Sequence, residues 1–164
     1  MERVSIDDVD SYMGPAAVKR PLTEALGATD LAINYYELDP GDSFAFGLHR
    51  HSDQEEVFYV QAGTVTFHRG SAAGDTAEET EAVTVGAGEL VRFGPGEFQR
   101  GVNEGNERVV ALALGAPQES GETTITRECD DCGRRTRADI ELTDDRDALV
   151  TVCTECGAET GRFT

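Results

Sequence analysis

GDSFAFGLHRHSDQEEVFYVQAG, residues 41 to 63, carries two of the chain's three histidines with one residue between them, then a glutamate and a closing glycine. On an extended strand His49 and His51 point to the same face about 7 Å apart, a spacing at which two imidazoles can converge on one ion. The turn residues Ser52 to Glu55 then deliver Glu56. Two neutral nitrogens and one carboxylate form the facial donor set that suits Fe(II) with open positions and that also accepts Mn, Ni, Co or Zn. Taken without its surroundings, a His-x-His pair reads first as two solvated polar residues on an exposed strand.

The surroundings are strand-like. From Ala32 onward, AINYYELD, SFAFGLH, EVFYVQ, TVTFH, EAVTV, ELVRF and ERVVALAL follow one another between Gly, Pro and Asp turns. So many short strands in so short a span predict a sandwich or barrel. The only helical candidate, Pro21 to Leu26, is short and stops at Gly27. RGSAAGDTAEET, between His68 and Glu81, is small and polar and predicts a mobile hairpin tip. His68 reads as a surface hairpin residue, and Tyr35, Tyr36, Phe44, Phe46, Phe58 and Phe93 as core or pocket lining.

A second stretch, Gly88 to Asn103, GELVRFGPGEFQRGVN, completes the pattern. His49, Arg50, His51, Glu56 and Gly63 match the end of the first motif of the cupin superfamily, although Gly41 lies too far ahead of His49 to be its leading glycine. Gly88, Gly96 and Asn103 match the second motif, with Gly94 where a proline is usual. Gln99 stands where the family has a fourth metal ligand, a histidine. The chain therefore resembles a small single-domain cupin from Leu31 to Ala116. The resemblance implies an all-β, double-stranded β-helix (jelly-roll) barrel over residues 31–117, with the extension 1–30 packing on it. It implies a divalent transition metal, Fe, Mn, Ni or Zn, held by His49, His51, Glu56 and Gln99. A glutamine offers only a neutral amide, as a harder ligand or as a partner for metal-bound water. The activities implied are dioxygenase, isomerase or decarboxylase chemistry on a small molecule. A non-catalytic ligand-binding or regulatory barrel, and a structural dimerisation unit, are the competing readings. No separate general base stands out, and Arg100, next to Gln99, should point to the opposite face.

Residues 118–164 carry a different signal. Cys129-Asp-Asp-Cys132-Gly and Cys153-Thr-Glu-Cys156-Gly are paired knuckles whose four thiolates can close a tetrahedral site. This resembles a zinc ribbon, with TITRE, TRADIEL and ALVTV as its strands. A closed site of this kind is structural, because it leaves no coordination position open and a core this small needs a staple. A rubredoxin-like iron centre and a pair of disulfides are the alternatives. Arg134, Arg135 and Arg137 read as a solvated basic face.

Thirty-two acidic residues against fourteen basic ones give a formal charge of −18, and Lys19 is the only lysine. That balance disfavours nucleic acid and matches proteins of halophilic cytoplasm, where molar salt shrinks screening to about 3 Å. No apolar run approaches the roughly 18 residues of a membrane span. MERVSIDDVD lacks the features of a secretory signal, so a cytoplasmic protein is expected. Exposed sheet surface predicts a homodimer.

Overall fold

The computed structural model describes residues 1–73 and 76–164. In chain order the barrel strands are β1 (Val18–Pro21), β2 (Ala32–Leu38), β3 (Leu48–His51), β4 (Glu55–Ala62), β5 (Thr64–Ala73), β6 (Thr76–Gly86), β7 (Leu90–Phe93), β8 (Phe98–Val102) and β9 (Val109–Ala116). Four more follow: β10 (Thr123–Cys129), β11 (Arg134–Leu142), β12 (Leu149–Cys153) and β13 (Glu159–Phe163). They form two facing antiparallel sheets, one ordered β1-β2-β9-β4-β7 and the other β13-β12-β11-β10-β3-β8-β5-β6. A single helical turn, α1 (Thr23–Leu26), ends at Gly27 in the left-handed conformation, as the glycine stop predicts.

Period-two patterning sends alternate side chains inward. VVALALGA in β9 buries Val109, Ala111, Ala113 and Gly115 and leaves the residues between them half-buried. Tyr36 and Leu38 of β2 and Phe58 and Val60 of β4 join them. Across the gap Phe67 is fully buried, its ring 5.0 Å from Phe58 and 5.8 Å from Phe44. This aromatic layer packs the two sheets against each other.

The C-terminal strands extend a barrel sheet. β10 pairs antiparallel with β3, setting Thr123 opposite His51 and Ile125 opposite His49. Gly47 permits this approach, since a Cβ there would lie 2.6 Å from the Thr126 carbonyl oxygen. Thr126 donates its hydroxyl to the Leu48 carbonyl at 3.1 Å, and Arg127 donates to the carbonyls of Phe46 and Thr160.

Three expectations change. RGSAAGDTAEET is largely paired strand: Gly70, Ser71 and Ala72 face Glu79, Glu78 and Ala77 after a register shift at Arg69/Gly70. Ala77 is fully buried in a cluster with Leu48 and Phe98, so packing overrides weak local β-propensity. The expected mobile tip itself, residues 74–75, lies outside the described residues. SFAFGLH is a strand only from Leu48; before that Ser43 makes an isolated bridge to Val102 while Phe44 turns into the core. The strands β1, β8 and β13 are additions to the sequence reading, the first an edge strand paired with β2. No helix among the described residues is long and apolar enough to cross a membrane.

Candidate metal centres

His49 and His51 share the inner face of β3, as their spacing requires. Glu56 is on the next strand in sequence, but that strand belongs to the opposite sheet, so the carboxylate meets the imidazoles across the barrel interior. Glu56 Oε2 lies 3.5 Å from His49 Nε2 and 3.4 Å from His51 Nε2. One ligand atom from each of the three residues falls within 4.8 Å of the others.

Both rings are held through their other nitrogen. His49 Nδ1 is 3.3 Å from the Gly47 carbonyl, which can only accept, so Nδ1 carries the proton and the Nε2 lone pair faces the interior. His51 Nδ1 meets Thr123 Oγ1 at 2.8 Å. Such partners fix tautomer and ring orientation in metal-ligating histidines. Thr123 comes from β10, so the C-terminal unit orients a barrel side chain.

Gln99 is brought in as well. It is 2% exposed and opposite His49 on β8, and its Nε2 donates to Glu56 Oε2 at 2.7 Å and lies 3.0 Å from His49 Nε2. Its Oε1 is buried with no hydrogen-bond partner among the described residues. The amide hydrogens thus lie against the same lone pairs that a cation would meet. A half-turn about the Cγ–Cδ bond brings the orphaned oxygen to that position. The two imidazole nitrogens, the carboxylate and this unsatisfied acceptor fit a first-row divalent ion.

The electrostatics agree. Burial works against ionised Glu56, but when the rings of His49 and His51 are protonated their hydrogen bonding and charge outweigh it and hold the carboxyl well below the usual range; with neutral imidazoles that support passes to a bound cation. Above the triad is a cavity of about 270 Å³, walled by Phe46, Ile125 and Ile140 and reached by Lys19, Asn34 and Tyr36. Burial, and then the charge of Glu56, push the Tyr36 phenol up. Burial pulls the Lys19 ammonium down while Glu56 opposes that pull. Tyr36 lines the cavity, as expected of it, whereas Lys19 and Thr123 escaped the sequence reading; the one available signal was that Lys19 has no lysine companion. A larger cavity of about 500 Å³ under the N-terminal segment contains none of the triad.

Arg100 lies on the outer side of its sheet with Leu48 and Thr126, away from Gln99. His68 is not simply solvated: Nε2 lies 2.9 Å from Glu104 and Nδ1 3.4 Å from Glu79. Arg134, Arg135 and Arg137 each pair with glutamates, Glu155, Glu128 and Glu79, and Glu122.

The second cluster is formed by Cys129, Cys132, Cys153 and Cys156, whose sulfurs all lie within 4.8 Å of one another. Cys129 and Cys156 are 3.6 Å apart and Cys132 and Cys153 3.9 Å, near the roughly 3.8 Å edge of a tetrahedron with 2.3 Å bonds. All four are free, so the disulfide alternative does not hold. Gly133 and Gly157 adopt φ of 64° and 77°, the left-handed turn each knuckle needs. The Thr136 hydroxyl and the backbone amides of the second knuckle bring the Cys153 thiol down to about 6.

A double-stranded β-helix enclosing a His-x-His and glutamate triad, joined to a four-thiol unit, defines a small barrel protein with two clusters able to hold a metal ion. The chain belongs to the cupin family: the Cupin_2 cupin domain profile matches residues 34–115. No curated protein matches it in sequence. Among solved structures it is similar to an uncharacterized conserved protein with a double-stranded β-helix domain from Klebsiella pneumoniae, at TM-score 0.58 and 17% identity, over 78% of this chain and 99% of that one. It is similar to a sugar phosphate isomerase of the cupin superfamily from Silicibacter pomeroyi, at 0.60 and 16%, over 99% and 91%. It also resembles an oxalate decarboxylase from Lactobacillus farciminis in a formate complex, at 0.59 and 17%, over 73% and 34%. Identities this low carry the fold alone.

Proposed function

We propose that this chain is a metal-dependent cupin enzyme that converts a small oxygen-bearing metabolite, of the dioxygenase, isomerase or decarboxylase type, with a structural zinc ion in its C-terminal ribbon. The observation that carries the reading is the convergence of two imidazole Nε2 atoms and one carboxylate beneath a cavity, with both Nδ1 atoms already engaged. His49, His51 and Glu56 hold the ion, and Gln99 completes its shell or orients what binds beside it.

A first-row divalent ion supplies Lewis-acid polarisation of a substrate oxygen, or dioxygen chemistry if it is redox-active. The chain supplies the rest. Three protein donors leave coordination positions free for substrate, and Phe46, Ile125 and Ile140 give the cavity beside them an apolar wall. Glu56, facing both imidazole Nε2 atoms, is the anionic donor of the set. The four thiolates are a closed set and take no part in turnover.

Elemental analysis of protein purified without chelator or nickel resin tests both halves. Two metal ions per chain are expected, one lost in His49→Ala and the other, zinc, in Cys129→Ser. Iron as the first directs the next assay to oxygen consumption. Wild-type protein holding only the thiolate-bound ion would sink the enzymatic reading in favour of a metal-free binding module.

A further inference from the structure

We propose that Lys19 is the anion anchor of the cavity above the triad, and that the ligand of this site is a small carboxylate held between the Lys19 ammonium and the ion of the barrel; this rests on the metal-dependent reading above.

The case begins with charge. In a chain with thirty-two carboxylate side chains and one lysine, a lysine placed for solubility would lie among acids on the surface. Eight of the thirteen arginines pair with aspartate or glutamate among the described residues: Arg20, Arg69, Arg92, Arg108, Arg134, Arg135, Arg137 and Arg162. Lys19 does not. Its Nζ makes no hydrogen bond or ion pair among the described residues, and lies 5.9 Å from the centroid of the Tyr36 ring.

Its position follows from the ladder. Lys19 is directly opposite Tyr36 in the β1–β2 pair, so the two share the inward face of the five-stranded sheet. Glu56 belongs to the same sheet, and its charge acts on both. Lys19 is half-buried, with its ammonium beside an aromatic face and no ion-pair partner among the described residues, and a cleft is where such a group is used. The Glu56 carboxylate is already engaged by His49, His51 and Gln99, which leaves Lys19 to the ligand.

Size and polarity narrow the class. About 270 Å³ is room for on the order of nine water-sized groups at roughly 30 Å³ each. That admits a carboxylate of about three to five carbons with a second oxygen donor for the ion. Asn34, Gln54 and Thr123 give the cavity neutral polar groups and Ile125 and Ile140 apolar ones, so Lys19 is the cationic side chain among its lining and the partner for a ligand's anionic end. A lysine rather than an arginine suits this, being a compact point charge on a flexible stem.

The uniqueness of Lys19 makes the test direct. Full-length protein grown with ¹³Cε-lysine gives one lysine signal in carbon–proton NMR. Malonate and its neutral diamide are titrated against sodium chloride of equal ionic strength, before and after loading with zinc, with calorimetry alongside. Malonate should move the signal saturably and the diamide should bind at least tenfold more weakly. Lys19→Met should lower malonate affinity tenfold or more at unchanged barrel-zinc content, and Lys19→Arg should recover part of it. Malonate binding within twofold of wild type in Lys19→Met, or a signal that stays still at saturation, overturns the proposal. A signal that responds in protein unable to take up barrel zinc leaves Lys19 as the anchor and removes the metal reading instead.

Discussion

The two clusters gather side chains able to hold an ion in opposite ways. In the ribbon all four donors are cysteines that arrive in adjacent pairs, and each knuckle is built by its own backbone. In the barrel the donors come from strands in opposite sheets, and the orientation of His51 depends on a residue 72 positions away. The ribbon site is local in sequence, chemically uniform and closed; the barrel site is distributed, mixed and open. Closure suits a staple, and openness suits chemistry. The barrel has a continuous aromatic layer, whereas the buried apolar residues described in the C-terminal unit are Ala138, Ala148, Val150 and two of the cysteines, beside the buried Thr124, Thr126, Thr136 and Thr151.

That contrast can be broken most decisively at the thiolates. Cys129→Ser, or exhaustive chelation, should unfold β10–β13 as judged by loss of hydrogen-exchange protection there, because the closed site carries the folding free energy of so small a unit. Protection in β2, β4 and β9 should survive. Loss of protection throughout would show that the barrel leans on the ribbon as much as the ribbon leans on its ion. The converse variant is Phe67→Ala, which empties the centre of the aromatic layer and should cost about 3–5 kcal/mol in denaturant unfolding. That loss should be the same with metal present or removed from the barrel site; a cost that vanished on metal loading would contradict a metal-independent core.

How much of this could be read beforehand follows from the same contrast. Cys129, Cys132, Cys153 and Cys156 were fully legible because a tight knuckle is encoded by residue type at fixed short spacing. His49 and His51 were legible because period-two geometry is local, and Glu56 and Gln99 because the cupin motifs carry them. Thr123 was not, since nothing in TTITRE reveals that the strand pairs with β3 in the register that meets His51. Lys19 was hidden for the same reason: only the β1–β2 ladder turns it inward. The stretch 69–80 misled because its small residues are strand-forming only when Ala77 packs against Leu48 and Phe98. Local chemistry was visible, and long-range pairing was not.

A smaller effect tests whether the two sites are linked. Thr123→Val keeps the β-branched shape on β10 and removes the oxygen that meets His51 Nδ1. Loss of such an orienting partner costs about 10- to 100-fold in metal affinity. Competition titration of the barrel ion should show that loss while the thiolate-bound zinc is unchanged. Equal affinity in the variant would mean that the strand pairing alone positions His51 and that the two sites are neighbours without coupling.

The smallest effect is expected at Gln99→His, which exchanges the amide for an imidazole beside His49 and Glu56. The exchange removes the donor that now contacts both of those ligands, and with it the buried amide oxygen that lacks a partner. An added neutral nitrogen favours later, softer divalent ions over hard ones. Affinity for Ni(II) or Zn(II) should therefore rise by about tenfold, or ~1.4 kcal/mol, while Mn(II) affinity changes much less. Measured on the same protein, the ratio of the two changes separates a position facing the ion from one that only packs. If nickel and manganese shift together or neither shifts, Gln99 is a hydrogen-bonding neighbour of the triad and the ion is held by three protein donors alone.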